Sequence, residues 1–300
     1  MQAIVNDSSA TLLSKAYTDP STRFALILGT GVNAAVHLPV DVFGLKKFGV
    51  RPAIWHEEAQ HVLVNTELSM FGSGVLPLTR WDLLIKEAHH APDFQPLEYM
   101  VGGGYLGEIV RQILIEGIEK AGLLGGVIPP SLKTPYSLET ETISRIEALV
   151  KPFKLLYSHV DLTRFNRSDT TSELLIAREV FTTGHPSTTT PSHADFLAIR
   201  TISSCVSKRA SALLAAGCHA LWDLRNTAEG LQPNTVAHTA ISYNGSVLEH
   251  YPNFRANCQR FLDGLVEASG GKGGALELTP AIESSLVGAA VAVACLGVDS

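Results

Sequence analysis

Short apolar runs that end at turn residues are the feature that most constrains the fold of this chain. Phe24 to Leu28 form one run, which Gly29, Thr30 and Gly31 close, and a second short apolar run precedes Asp7. Apolar strands of four to eight residues suit the buried sheet of an α/β protein, in which ligands lie beyond the carboxyl ends of the strands. We therefore expect both runs to be strands, with Asp7 and the glycine turn at their ends.

Each strand end has a functional and a structural interpretation. Glycine lets the backbone approach a ligand closely, so Gly29-Thr30-Gly31 could direct N–H groups and a hydroxyl at phosphate oxygens. The same tripeptide between two strands is more often a tight hairpin turn. Asp7 could act as a base, whereas an Asn-Asp pair commonly starts a turn or caps a following helix, here residues 8–15. The residues alone leave both interpretations open.

Periodicity predicts the other elements and indicates an α/β architecture throughout. Apolar spacing from Leu106 to Ile118 predicts an amphipathic helix that ends near Gly122 or Gly125, with Glu108, Arg111 and Glu116 on its solvated face. Further helices are expected over residues 194–225 and 253–267, and strands over 61–65, 236–243 and 275–278. Residues 129–190 are the least regular, and the Ser/Thr/Pro-rich tract at 182–192 predicts a loop.

Composition limits the class of partner. The chain has 300 residues, 45% of them hydrophobic and 17% charged, so it can bury a substantial core. A net charge of −6 gives no electrostatic reason to expect a nucleic acid or an anionic membrane as partner. The apolar segment 286–298 is about half a membrane span, so we expect a buried core helix and no membrane span.

Cysteine and histidine patterns favour a cytoplasmic protein without its own metal site. No CxxC pair occurs, so the four cysteines are expected to be reduced core thiols: Cys205, Cys218, Cys258 and Cys295. His56 and His61 are five residues apart, which misses the spacing of HExxH zinc sites. His89 and His90 are adjacent, so they point in different directions on a helix. We expect all four of these histidines on the surface or in loops.

Several short motifs recur in one order along the chain. They are IVND at residues 4–7, ATL at 10–12, YTDP at 17–20, LGTGVNA at 28–34, NTE at 65–67, LPLTRWD at 76–82, QPLEYM at 95–100, YLGEIVR at 105–111, NGSV at 244–247, YPNF at 251–254 and GAA at 288–290. As a set they resemble the eukaryotic hexokinases, and in detail an atypical hexokinase-like branch of filamentous fungi. The resemblance covers nearly all 300 residues.

The resemblance implies an actin-like, ribonuclease-H-like α/β ATPase fold. Residues 1–300 would form the large, C-terminal domain of a hexokinase that is incomplete at its N-terminus. The family's small lobe and its first phosphate loop, of the LGGTN type, have no counterpart in this sequence. Because lobe closure assembles the site in such kinases, we expect phosphoryl transfer to be impaired.

The resemblance also implies residue roles. Asp7 matches the catalytic base. Asn6, Asn33, Glu67 and Glu98 match the sugar-holding residues, with Gln95 a weaker candidate. Gly29, Thr30 and Gly31 match the second phosphate turn, and Gly245 and Ser246 match the region near the adenosine.

The implied reaction is ATP-dependent phosphorylation of the 6-hydroxyl of a hexose, with Mg²⁺ held mainly through the nucleotide. The alternatives are an N-acetylglucosamine kinase, a non-catalytic sugar-binding regulator, or a degenerate product that folds poorly. Two departures stand out. Leu68-Ser69 replace an aromatic and a glycine after the pocket glutamate, and Ser284-Ser285-Leu286 replace a Gly-Ser-Gly turn whose backbone approaches the nucleotide.

Overall fold

The strands of the described chain form one five-stranded mixed sheet. The structure is a computed structural model that describes residues 4–150, 172–236 and 238–296. The strands are β1 (Thr22–Leu28), β2 (Val32–Pro39), β3 (His61–Asn65), β4 (Thr239–Asn244) and β5 (Leu276–Pro280). Their order is β3-β2-β1-β4-β5. β1 is antiparallel to β2 and parallel to β4, β2 is antiparallel to β3, and β4 is parallel to β5.

The central strands are buried on both faces, as the apolar run at residues 24–28 predicts. Phe24, Leu26 and Leu28 are each no more than 3% exposed, and so are Ala25 and Ala35 on the opposite face. A strand whose two faces are both apolar is stable only when other elements cover both of them. The first helix, α1 (Asp7–Thr18), packs against β1, and its buried Leu12 joins Ala25 and Ala35 in one cluster.

The remaining helices alternate with the strands or follow them. They are α2 (Ala53–Glu58), α3 (Arg80–Ala88), α4 (Glu98–Val101), α5 (Gly103–Ala121), α6 (Thr140–Leu149), α7 (Ser172–Gly184), α8 (His193–Ala228), α9 (Ser246–His250), α10 (Phe254–Ala268) and α11 (Ser284–Leu296). The predicted helices at 106–118, 194–225 and 253–267 are confirmed. The loop predicted at 182–192 begins after α7, whereas residues 151–171 of the irregular region lie outside the described residues.

Contacts divide the chain into two compact units. Unit 1 comprises Met1–Leu76, Phe94–Gly102 and Ala210–Ser300, and unit 2 comprises Pro77–Asp93 and Gly103–Arg209. Within the described part of unit 1 lie the sheet and every residue that the sequence assigns to a site. The assignment of residues 1–300 to one large domain stays a prediction.

The predicted strand before Asp7 is wrong for the residues that the structure describes. Residues 4–6 have no regular secondary structure, and Asp7 is the first residue of α1. The capping interpretation is confirmed, because the Asn6 side chain accepts a hydrogen bond from the Ser8 N–H. The local preference of Asn-Asp for a helix start therefore outweighs the short apolar run.

The solvated face predicted for α5 is wrong at Glu108 and Arg111, whereas Glu116 is partly exposed and pairs with Arg80 and Lys120. Glu108 and Arg111 are each only 3% exposed, and the Arg111 guanidinium donates to the Glu108 carboxylate. Both also bind the segment after α5, since Arg111 donates to the Leu132 carbonyl and Glu108 accepts from the Tyr136 N–H. A buried pair of this kind is tolerated because each charge is hydrogen-bonded.

Several surface assignments changed as well. The apolar C-terminal segment is helical as α11, but Leu286 is 72% exposed and most residues from 286 to 295 are exposed or half-buried, so the expectation of a buried core helix is wrong there. Residues 297–298 lie outside the described residues. Cys218 and Cys258 are buried thiols, whereas Cys205 and Cys295 are exposed. Within the described ranges, none of the helices combines the length and apolar character needed to span a bilayer.

Candidate active site

The glycine turn at residues 29–31 connects two antiparallel strands. Leu28 of β1 pairs with Val32 of β2, and the Gly29 N–H donates to the Gly31 carbonyl at 3.1 Å. The hairpin interpretation of the turn is thus confirmed. The turn also lies at the carboxyl end of β1, beside the end of the parallel strand β4, and the Thr30 side chain is exposed there. A hairpin turn in this place can still present backbone donors to a ligand.

Glu98, the first residue of α4, holds the turn from one side. Its Oε2 accepts a hydrogen bond from the Val32 N–H at 2.9 Å. A Cβ on Gly31 would lie 3.0 Å from the Glu98 Cδ, and closer still to its carboxylate oxygen. Gly31 is therefore required so that the half-buried carboxylate can reach the backbone.

Gly245 holds the other side of the turn. Its φ is +123°, a conformation open to glycine, and a Cβ there would overlap the Leu28 carbonyl. This backbone path brings the exposed Ser246, at the start of α9, close to Gly29. The predicted nucleotide-side residues at 29–31 and 245–246 are thus adjacent.

Asn6 and Asp7 lie at the N-terminus of α1, where the first backbone N–H groups have no carbonyl acceptor within the helix. The Ser8 N–H donates to Asn6 Oδ1 at 2.9 Å and to Asp7 Oδ1 at 2.8 Å. The Ser8 hydroxyl, which is buried, donates to Asn6 Oδ1 at 2.6 Å. Asn6 and Asp7 themselves are exposed, so both present polar atoms to solvent or to a ligand.

Asn65, the last residue of β3, connects these groups. Its Oδ1 accepts from Asn33 Nδ2 at 2.7 Å and from the Ser8 hydroxyl at 3.3 Å, and its Nδ2 donates to Glu67 Oε1 at 2.6 Å. The carbonyl oxygen of the Asn33 side chain in turn accepts from the Leu68 N–H at 3.3 Å. One side chain therefore orients the amide of Asn33, the carboxylate of Glu67 and the hydroxyl beside Asp7.

Glu67 has a backbone conformation that side chains rarely adopt. Its φ is +52° and its ψ is +49°, in the left-handed region. Non-glycine residues in this region cost of order 1 kcal/mol and concentrate at functional sites. The conformation turns the chain sharply after β3, so that Glu67 remains exposed while Leu68 is buried.

Gln95 is the one predicted site residue that the structure does not join to the others. It is half-buried just before α4, and its backbone carbonyl accepts from the Tyr99 N–H at 3.2 Å. Among the hydrogen bonds of the described residues, its side chain has no link to the Asn65 network. Its role in sugar binding stays a prediction.

The two departures from the hexokinase pattern do not fill this region with side chains. Leu68 is 3% exposed, and its nearer methyl group lies 3.4 Å from where a Cβ on Gly217 of α8 would be. Ser284 is 1% exposed and accepts a hydrogen bond from the Thr11 hydroxyl at 3.0 Å, as the first residue of α11. Leu68 and Ser284 thus pack into the protein, and only Ser285 and Leu286 stay exposed.

The arrangement suits a neutral ligand with many hydroxyl groups. Asp7, Glu67 and Glu98 form no ion pair with any described residue. The side-chain amides of Asn6 and Asn33 lie in the same region. Carboxylates accept and amides both donate and accept, so together they can satisfy hydroxyls that do the same. In the described residues, no cluster of His, Cys, Asp or Glu could hold a metal ion.

Sequence reasoning missed Asn65 and Ser8. Asn65 appears within the NTE motif, but it has no role in the set that the resemblance implies. The available signal was its place at the end of a predicted strand, two residues before Glu67. Ser8 gave no signal, because its contact with Asn65 joins positions 57 residues apart.

Comparisons with known proteins agree with this architecture. The family model described as hexokinase matches residues 23–295. The hexokinase of Kluyveromyces lactis is 29% identical over 299 residues, and hexokinase-1 of Schizosaccharomyces pombe is 31% identical over 298 residues. A Schistosoma mansoni hexokinase, solved as a complex with glucose, has a TM-score of 0.72 and 28% identity.

These matches cover nearly all of this chain but only about half of each relative. The two fungal alignments cover 98% and 97% of this chain but only 54% and 53% of the relatives, and the structural match covers 98% of this chain and 57% of its partner. The chain therefore spans about half the length of the relatives it matches. The mixed five-stranded sheet and the structural match are consistent with the predicted actin-like fold. Since the family model extends over most of the sequence, the chain belongs to the hexokinase family.

Proposed function

We propose that this chain binds a hexose at the Asn65 network and transfers a phosphoryl group from ATP to the sugar's 6-hydroxyl. The observation that carries the proposal is the hydrogen bonding of Asn65 to Asn33, Ser8 and Glu67. It brings the start of α1, the start of β2 and the end of β3 together around polar groups that have no charged partner among the described residues. The relative solved with glucose, a hexose, supports this class of substrate.

The sugar would be held through its hydroxyl groups. Asn33, Glu67 and Glu98 supply acceptors and an amide donor, while Asn6 adds a second amide beside Asp7. A buried hydroxyl left without a partner costs about 1 to 3 kcal/mol, so a set of this kind selects for the positions of the hydroxyls. Asn65 would act by positioning Asn33 and Glu67 rather than by touching the sugar.

The phosphate side of the site would be the turn at residues 29–31. Among the described residues, its backbone hydrogen bonding is limited to Gly29 N–H and Gly31 C=O, which leaves the N–H groups of Thr30 and Gly31 for a ligand. The side chains of Thr30 and Ser246 are exposed, and Ser246 Oγ would lie 3.9 Å from a Cβ on Gly29. These donors fit phosphate oxygens. ATP with Mg²⁺, when bound, supplies the phosphoryl group and neutralises its charge.

Asp7 would accept the proton of the attacking 6-hydroxyl. One carboxylate oxygen already accepts from the Ser8 N–H at 2.8 Å, which fixes the side chain and leaves the other oxygen for the sugar. Positioning of this kind supplies much of the rate in phosphoryl transfer, because the chemistry itself needs little covalent help from the protein.

The test combines sugar binding with turnover on the same chain. D-glucose, D-mannose and D-fructose are each added in a thermal unfolding assay, with L-glucose as the control for a general cosolvent effect. ATP-coupled phosphorylation is then measured with the same sugars. We expect one or more D-hexoses to raise the melting temperature and to be phosphorylated.

Three variants assign the effect to the site. Asp7→Asn should abolish turnover and leave the sugar-dependent stabilisation in place, because it removes the base and keeps the shape. Glu98→Gln should weaken both, whereas Glu119→Gln, an exposed carboxylate on α5, should change neither. Stabilisation no greater than that of L-glucose would overturn the sugar site. Stabilisation without turnover would overturn the kinase activity of this chain alone.

A further inference from the structure

A cavity of about 360 Å³ lies at the amino ends of β1 and β4, within unit 1. Three basic side chains line it: Arg23 of β1, Arg225 near the end of α8, and His238 just before β4. The glycine turn follows the carboxyl end of β1. Seven strand residues separate the two ends, or about 20 Å, so this cavity is distinct from the candidate active site.

Arg225 is built into the wall of the cavity. It is 7% exposed, and one of its terminal nitrogens lies 2.6 Å from Glu229 Oε1. Its Nε is buried and has no hydrogen-bond partner in the described residues. Burial lowers the pKa of Arg225, and the charge of Arg23 adds to this effect while Glu229 opposes it. A buried N–H of a charged group without an acceptor is costly, so an acceptor brought by a ligand would stabilise it.

Arg23 carries the least neutralised charge in the cavity. Its guanidinium donates to the backbone carbonyls of Pro20 and Thr22, and within the described ranges it forms no ion pair. The neighbouring carboxylates have partners other than the two guanidinium groups. Glu277 lies 2.9 Å from His238, and Asp19 accepts from the Ser21 hydroxyl at 2.6 Å. Two guanidinium groups therefore face one space, and the carboxylate paired there, Glu229, contacts Arg225 and His61.

We propose that this cavity binds a phosphate group, either as inorganic phosphate or as a small phosphate monoester. Guanidinium groups bind tetrahedral oxyanions through paired, charge-assisted hydrogen bonds, and two of them around one space are a typical recognition set. The volume exceeds that of one phosphate and leaves room for a short ester substituent. The site does not depend on the proposed kinase activity, because it lies at the opposite end of the sheet strands.

Titration calorimetry and thermal unfolding on the whole chain test this. Inorganic phosphate and glycerol 3-phosphate are the two probes, and sodium chloride at matched ionic strength is the control. We expect phosphate to stabilise the parent chain. In Arg23→Gln, which loses one guanidinium group, we expect the affinity for phosphate to fall by about tenfold or more. Tighter binding of the ester would identify a phosphorylated metabolite as the ligand class, and equal or tighter binding of free phosphate would identify the ion itself.

Matched variants separate this site from others. Arg260→Gln removes an exposed arginine of α10 that does not line the cavity, so it should bind the probe as the parent does. Thr30→Ala alters the glycine turn and reports any phosphate that binds there instead. Arg225→Lys keeps the buried charge and loses the fork, and should also weaken binding. Equal binding by Arg23→Gln and the parent, or loss of binding in Thr30→Ala alone, would overturn the proposal.

Discussion

The two glycines of the turn provide a matched pair of substitutions with different expected costs. A Cβ on Gly29 would make only an ordinary contact, 3.9 Å from the Ser246 hydroxyl. A Cβ on Gly31 would lie 3.0 Å from the Glu98 Cδ and closer to its carboxylate oxygen. Neither glycine has a positive φ, so alanine suits the backbone at both positions. The two variants therefore differ in what the methyl group meets.

The magnitudes follow from this geometry. Replacing glycine by alanine at a compatible position stabilises a protein by about 0.4 to 1 kcal/mol, because the unfolded chain loses freedom. In Gly31→Ala, Glu98 must swing away and its charge-assisted hydrogen bond to the Val32 N–H is lost, at about 1.5 to 3 kcal/mol. We expect Gly29→Ala to be neutral or slightly stabilising, and Gly31→Ala to lower the free energy of unfolding by about 1 to 2 kcal/mol.

Urea unfolding of the two variants and of the Gly31→Ala/Glu98→Ala double variant checks the reasoning. Once Glu98 is truncated, the methyl group at residue 31 meets little, so the double variant should be no less stable than Glu98→Ala alone. Gly31→Ala should also weaken hexose-dependent stabilisation, because the displaced carboxylate belongs to the proposed pocket. Equal stability of Gly29→Ala and Gly31→Ala, or fully additive costs in the double variant, would refute the assignment of Glu98 as the group that holds the turn.

Three further variants test buried and polar groups elsewhere. Glu108→Leu should lower the free energy of unfolding by about 3 to 5 kcal/mol in a urea titration, because it leaves Arg111 buried without its counterion. Burial lowers the pKa of His37 to about 4, from an ordinary value of 6.5. The folded chain then binds fewer protons than the unfolded chain, so stability should be full above pH 6.5 and fall as the pH drops toward 4. His37→Phe should flatten that part of the pH profile of the urea midpoint, and an unchanged slope would remove His37 as its cause. Asn65→Leu should lower the affinity for hexose by tenfold or more, measured from hexose-dependent stabilisation, while the melting temperature without sugar falls by a few degrees. An unchanged hexose affinity would contradict the positioning role of Asn65.

The elements that the sequence predicts well are those with a regular apolar pattern. The helix that contains Leu106 to Ile118 has a helical periodicity, whereas the runs at 24–28 and 61–65 are short apolar segments whose length and bounding turn residues favour buried strands. The start of α1 shows the limit of this reasoning. Ile4 and Val5 look like a strand, but the Asn6 side chain caps a helix at the next residue, and a cap acts through a single hydrogen bond that apolar patterns do not contain.

Charged residues on a predicted helix face were the harder case. Glu108 and Arg111 occupy the polar side of α5, and a pattern can say which side is polar but not whether another segment covers it. Here the segment around Leu132 and Tyr136 covers the pair through backbone hydrogen bonds. Because backbone partners leave no mark in the sequence, this burial was not predictable from residue type.

The residue that joins the site was missed for a different reason from the residues it joins. Asn33, Glu67 and Glu98 were predicted because they match the sugar-holding residues of the hexokinases, a set in which Asn65 has no role. The Asn65 side chain forms its hydrogen bonds with other side chains: it accepts one from Asn33 at 2.7 Å and donates one to Glu67 at 2.6 Å. A group that acts in this way fixes the orientation of an amide and a carboxylate that would otherwise rotate freely, so its loss should affect sugar affinity more than stability. The proposed pocket therefore depends on the meeting of β2 and β3 at their ends, and a variant that preserves each sugar-contacting residue but removes Asn65 is the direct measure of that dependence.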